Sequence, residues 1–85
     1  MKLPSVKDFK EFSFDQKCDI VTMNSLYLMH RELPQGKGYL YHTGSFYIEV
    51  LYSSAYKRIL MIHGFNDPDL LAPYAEMISL ADLNF

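Results

Sequence analysis

Residues 39–52 read Tyr39-Leu40-Tyr41-His42-Thr43-Gly44-Ser45-Phe46-Tyr47-Ile48-Glu49-Val50-Leu51-Tyr52, and their pattern decides the fold. Phe46, Ile48, Val50 and Tyr52 alternate with Tyr47, Glu49 and Leu51, the period of a strand with one buried face. The set without Glu49 is the expected core face. Tyr39 to His42 reads as the preceding strand, and Thr43-Gly44 as a short turn that makes the two antiparallel neighbours. The length of that turn sets the register. A two-residue loop pairs Tyr41 with Phe46 and turns Tyr39 and Tyr41 into the core. A three-residue loop pairs His42 with Phe46 and turns Leu40 inward, because a slip of one residue exchanges the faces. The three-residue loop is the expectation here: it buries Leu40 and leaves two tyrosine hydroxyls to solvent.

Upstream, Pro34-Gln35-Gly36-Lys37-Gly38 is the strongest break in the chain and is expected to supply a turn with positive-φ residues. It ends a strand from Ser25 to Leu33. In that strand Leu26, Leu28 and His30 alternate with Tyr27, Met29 and Arg31, and the first set is the expected core face. Downstream, Ser53-Ser54-Ala55-Tyr56 makes a turn into a fourth strand, Lys57 to Phe65. This strand is apolar on both sides, with Leu60 and Ile62 on one and Ile59, Met61 and Phe65 on the other. Strands of that kind are usually covered on both faces. In a simple meander it is an edge, and an apolar edge invites pairing with another chain.

Two helices precede the strands. Ser5 with Asp8 starts a short one, about Val6 to Phe12, whose Val6, Phe9 and Phe12 share a face. Ser13 with Gln16 has the spacing of a capping box and starts a second, Phe14 to Met23. Its apolar set is Phe14, Cys18, Ile20, Val21 and Met23, and Asn24 is expected to end it in a left-handed conformation. After the strands, Pro73 cannot lie deep inside a helix begun at Pro68. A short turn at Pro68 to Leu71 is therefore expected, then a separate helix with Pro73 near its first position, running to about Ile78. The apolar tail 79–85 is expected to dock on the sheet.

An 85-residue chain has room for one domain, expected to span residues 1–85. Its fold class is α+β, in the order α-α-β-β-β-β-α. The strands form an antiparallel meander, and the helices pack against one of its faces. The net charge of −2 and the eight scattered basic residues argue against nucleic acid, whose phosphates select clustered Lys and Arg. Asp15 and Asp19 beside Lys17 are the wrong charge for a recognition helix. The single cysteine, Cys18, excludes an internal disulfide and reads as a small buried residue rather than a reactive thiol. With no apolar run after Met1 and no segment of about 18 uncharged apolar residues, no membrane association is expected. A soluble cytoplasmic protein is the default.

Few residues are candidates for chemistry. His30, His42 and His63 fall on three strands, yet a zinc site needs its ligands on one face at one level; under the three-residue loop His30 and His42 point the same way while His63 lies with Ile59 and Met61, and no metal or other cofactor is expected. Gly36-Lys37-Gly38 is too short for a phosphate cradle, and no helix follows it. Arg31, Glu49, Tyr27 and Tyr47 could gather as a polar cluster that either binds a small polar ligand or ties the sheet together. No catalytic residue stands out.

Several short pieces carry a resemblance: Phe14-Asp15-Gln16-Lys17, Arg31, Phe46-Tyr47-Ile48-Glu49-Val50 with Tyr52, and Leu71-Ala72-Pro73-Tyr74. Together they resemble a group of small bacterial proteins of unknown function. The resemblance implies an α+β domain with an antiparallel sheet and no established activity, and it carries over no catalytic residues. The chain departs from that group at Leu51, where tryptophan is common, and at Leu60-Met61, where polar residues are usual. Both departures make the sheet more apolar. The expected role is therefore a small interaction or structural protein, a homodimer or partner of another protein through its sheet. The candidate surface is Arg31, Tyr47, Glu49, Leu51 and Met61. The rival is a ligand-binding protein or enzyme built around Arg31 and Glu49.

Overall fold

The computed structural model describes residues 4–75. Two helices, α1 (Val6–Lys10) and α2 (Phe14–Met23), lead into four strands, β1 (Leu26–Leu33), β2 (Gly36–His42), β3 (Tyr47–Ser53) and β4 (Arg58–Phe65). A 3₁₀ turn (Pro68–Leu71) and a short helix α3 (Ala72–Ala75) follow. The strands form one antiparallel sheet in the order β1-β2-β3-β4, so the α+β class and the meander are as the sequence indicates. The continuation of α3 to Ile78 and the docking of the tail lie outside the described residues.

Both helix starts are capping boxes. Ser5 Oγ accepts from the Asp8 amide at 3.2 Å and Asp8 Oδ2 accepts from the Ser5 amide at 3.4 Å. Ser13 and Gln16 exchange the same pair of bonds at 3.2 and 2.9 Å. Each box satisfies two amides that a first helical turn leaves free. Asn24 caps the end of α2 with φ −131°, not in the left-handed region, so that expectation is corrected.

The turns differ from expectation where side chains and backbone crowd. β1 and β2 are joined by Pro34-Gln35 alone, and Gly36-Lys37-Gly38 belongs to β2. Gly44 is the one glycine with positive φ, at 100°. Gly36 is required for close approach instead: a Cβ there would overlap the Tyr52 carbonyl. The β2–β3 loop spans Thr43 to Phe46, closed by Thr43 N–H donating to Phe46 O at 3.0 Å. Thr43 Oγ1 accepts from the amides of Ser45 and Phe46, both at 3.2 Å. This four-residue loop pairs Tyr41 with Ile48 and Leu40 with Glu49. The three-residue loop is therefore overturned, and Tyr39 and Tyr41 share the face of Ile48 and Val50.

Leu40 is nevertheless 2% exposed, because the C-terminal segment covers its part of the second face. On the first face Phe9, Phe46, Ile48, Val50 and Ile62 form a core, with Val6, Phe12, Cys18, Ile20 and Val21 packed around it. Phe9 carries α1 onto the sheet, its ring 5.3 Å from that of Phe46, over the space left by Gly64, where a Cβ would meet the Phe9 ring at 2.7 Å. On the second face Leu40, Phe65 and Tyr74 form another core, flanked by Met29, Tyr47 and Leu71. The helices thus divide between the faces, α1 and α2 on one and the C-terminal segment on the other. Period-2 alternation cannot reveal this, since it marks which residues share a face and not what covers each face.

Both edge strands contain a bulge. The register shifts between Tyr27 and Met29 in β1 and across Leu60 in β4, leaving Leu28 and Leu60 as extra residues, 43% and 53% exposed. An extra residue breaks strict alternation. Hence Leu26 and Leu28 are exposed rather than core. Ile59 and Ile62 face the helices, and Met61, His63 and Phe65 share the opposite face.

Candidate functional site

The register places Arg31, Gly38 and Leu51 in one row across β1, β2 and β3, and Leu40, Glu49 and His63 in the next. Directly opposed residues point to the same face, so all lie on the second face. Arg31 reaches Glu49 there. Its Nε and Nη2 donate to Glu49 Oε2 at 3.3 and 3.2 Å. Tyr74 from α3 donates its hydroxyl to the same oxygen at 2.6 Å. The Arg31 guanidinium also lies 5.4 Å from the centre of the Tyr74 ring, within the range of a cation–π contact. Gly38 makes the arrangement possible: a Cβ there would stand 3.0 Å from the Tyr74 hydroxyl and 3.3 Å from Glu49 Oε2.

The cluster is shielded, with the Arg31 and Glu49 side chains 25% and 14% exposed and Tyr74 1% exposed. Burial pushes the Tyr74 hydroxyl pKa well above its ordinary value, and the hydrogen bond and negative charge of Glu49 add to it. Tyr74 therefore stays a donor. Burial alone would lower the Arg31 pKa, but its contacts with Tyr74 and Glu49 outweigh that and raise it. The three groups form a closed hydrogen-bonded clasp between the sheet and the C-terminal segment.

Of the expected polar cluster, the structure brings together Arg31 and Glu49. Tyr47 lies on the same face but stacks on Phe65, with ring centres 5.6 Å apart, and takes the His42 ring edge-on at 4.5 Å. Tyr27 is on the other face, 5.6 Å from Tyr41 and hydrogen-bonded to His30 Nδ1 at 3.0 Å. There burial and the neighbouring Tyr27 and Tyr39 raise the Tyr41 pKa. His30 faces the helix side, whereas His42 and His63 face the clasp side. Among the described residues no group of three His, Cys, Asp or Glu is placed to hold a metal. The Cys18 thiol is held in its protonated form by burial and by Asp15 and Asp19, in keeping with a packing role.

Tyr74 is the member that sequence reasoning misses. It is visible as an apolar residue of the last helix, but the nearer of its two partners in sequence, Glu49, is 25 positions away, and only the folded chain brings them together. Leu51 and Met61, the remaining candidates, lie opposite each other on the second face beyond the clasp. Beside them Leu33, Gly36 and Leu60 line a hollow of about 320 Å³. A second concavity of similar volume lies between Met23–Leu26 and His42–Gly44. Arg31 and Glu49 open onto neither.

Among the described residues no helix is long and apolar enough to cross a membrane. Compared with known proteins, the chain matches no family model, no curated protein and no solved structure.

Proposed function

We propose that the chain is a small interaction or structural protein that self-associates through the second face of its sheet. The observation that carries this reading is the apolar part of that face that lies beyond residues 68–75 among the described residues. Leu33, Leu51 and Leu60 flank the hollow, and Leu60 and Met61 beside it are 53% and 51% exposed. None of these residues is charged. A two-fold related copy sets the same residues against each other, so a neutral patch meets no like-charge repulsion. It also sets an exposed apolar side chain, Met61, opposite Leu51, which lines the hollow. This narrows the expected surface of Arg31, Tyr47, Glu49, Leu51 and Met61 to its last two members, joined by Leu33 and Leu60.

The rival reading, a ligand site at Arg31 and Glu49, has less support. Binding sites are concave with convergent free polar groups, whereas these two side chains are spent on each other and on Tyr74. Sedimentation equilibrium at micromolar concentration tests the proposal. Self-association is expected, and Met61→Lys, which puts a charge in the patch at an exposed position, should abolish it. A wild-type chain that stays monomeric throughout overturns it.

A further inference from the structure

The bulge at Leu28 does more than break alternation. In an unbroken strand Tyr27 and His30, three positions apart, point to opposite faces. The extra residue turns them to the same one. Tyr27, His30 and Glu32 therefore stand in file along β1 on the first face, paired with Tyr41, Tyr39 and Lys37 of β2. Bulges that re-aim a side chain in this way are frequent beside active sites.

The three side chains are linked. Tyr27 Oη lies 3.0 Å from His30 Nδ1, and His30 Nε2 lies 3.5 Å from Glu32 Oε1. A neutral imidazole carries one ring proton. The carboxylate beside Nε2 favours the proton there, which leaves Nδ1 to accept and the Tyr27 hydroxyl to donate. The same Glu32 oxygen pairs with Lys37 Nζ at 3.8 Å, which ties the carboxylate to β2. The order is nucleophile, base and orienting group, each beside the next. Tyr27 is 51% exposed, so the phenol is open to a reagent from solvent. The rings of Tyr39 and Tyr41, centred 6.3 and 5.6 Å from that of Tyr27, flank it with aromatic surface.

We propose that Tyr27 is a nucleophile toward activated acyl groups, aryl esters above all, with His30 as its general base and Glu32 as the residue that positions the imidazole. Tyr27 Oη attacks the ester carbonyl carbon and a new C–O bond forms. The phenolic proton passes to His30 Nδ1. The bond to the aryl oxygen breaks, and the leaving aryloxide takes its electron pair, so the product is an O-acyl tyrosine. The site lies on the face opposite the surface proposed for self-association, and the two readings stand or fall separately. The probe is p-nitrophenyl acetate on the folded chain, with acetyl groups located by peptide mass mapping. Tyr56, 73% exposed and flanked by Arg58 rather than an imidazole, is the internal reference. General-base help is worth roughly 10²–10⁴-fold in an enclosed site, and at this open one Tyr27 should be acetylated about tenfold faster than Tyr56. His30→Gln should lower Tyr27 to the rate of Tyr56. Nitrogen NMR of the wild-type imidazole should show Nε2 protonated and Nδ1 bare, and Glu32→Ala should erode that signature toward a mixture of tautomers. Equal labelling of Tyr27 and Tyr56, or a His30→Gln chain as reactive as wild type, overturns the proposal, as does a wild-type proton on Nδ1. A spectrum unchanged in Glu32→Ala overturns the role given to Glu32. If His30→Gln loses its circular dichroism, the wild-type labelling and the wild-type spectrum decide.

Discussion

Glu49 Oε2 accepts two bonds from Arg31 and one from Tyr74, and the effect is felt most at the tyrosine. Its folded pKa lies above the ordinary value near 10, so the folded chain favours the protonated hydroxyl. That contribution to stability is fully present below about pH 10 and is lost as pH rises from there through the raised folded value. In an alkaline titration followed by tyrosinate absorbance, the Tyr74 hydroxyl should ionise late, as the chain unfolds. Tyr74→Phe should remove that late step and leave the raised Tyr41 in place. Seven tyrosines ionising together while the circular dichroism stays native would contradict the buried clasp. Arg31 and Glu49 are legible in the sequence as a candidate pair because charged residues stand out in apolar strands. Tyr74 is not, because an aromatic residue in a short C-terminal helix has many ordinary uses.

At the scale of elements, the sequence is legible where local chemistry decides. Ser5 and Ser13 cap their helices through side chains three residues away, and such contacts are complete within one turn of chain. Glycines are less legible. Gly36 and Gly38 have the look of turn residues, yet they lie in β2 and serve close approach. The contrast with Gly44 gives a test. At Gly44, φ is 100° and nothing lies within 4 Å of where a Cβ would stand, so Gly44→Ala adds backbone strain of roughly 1–2 kcal/mol. At Gly36 the new methyl meets the Tyr52 carbonyl, which is backbone and cannot rotate away, so Gly36→Ala should cost about 3 kcal/mol or more. Urea unfolding of the two variants settles the order, and equal midpoints would show that β2 and β3 separate more easily than the structure implies. The bulges at Leu28 and Leu60 have no sequence signal, because one added residue leaves the local composition unchanged.

Across the whole molecule, the sheet carries a separate core on each face. Phe9 is fully buried and ties α1 to Phe46 on the first face. Phe9→Ala should cost about 3–5 kcal/mol, a large part of the roughly 5–15 kcal/mol that holds a small domain together. Thermal unfolding should move down steeply, with the second-face core unable to compensate. A shift within a few degrees of wild type would mean that α1 contributes little to the fold. Among the described residues, part of the second face also lies beyond the cover of residues 68–75. That remainder, at Leu33, Leu51, Leu60 and Met61, is where self-association is proposed.

The sequence alone determined the helices, the four strands, their meander order and the inward face of β3. Those features follow from periodicity, capping and turn chemistry acting over a few residues. The tertiary structure decided the hairpin register, the two bulges, the division of helices between the faces and the union of Arg31, Glu49 and Tyr74. Each of these depends on which distant segments share the same space, and the period of a strand gives the two faces without naming what covers them.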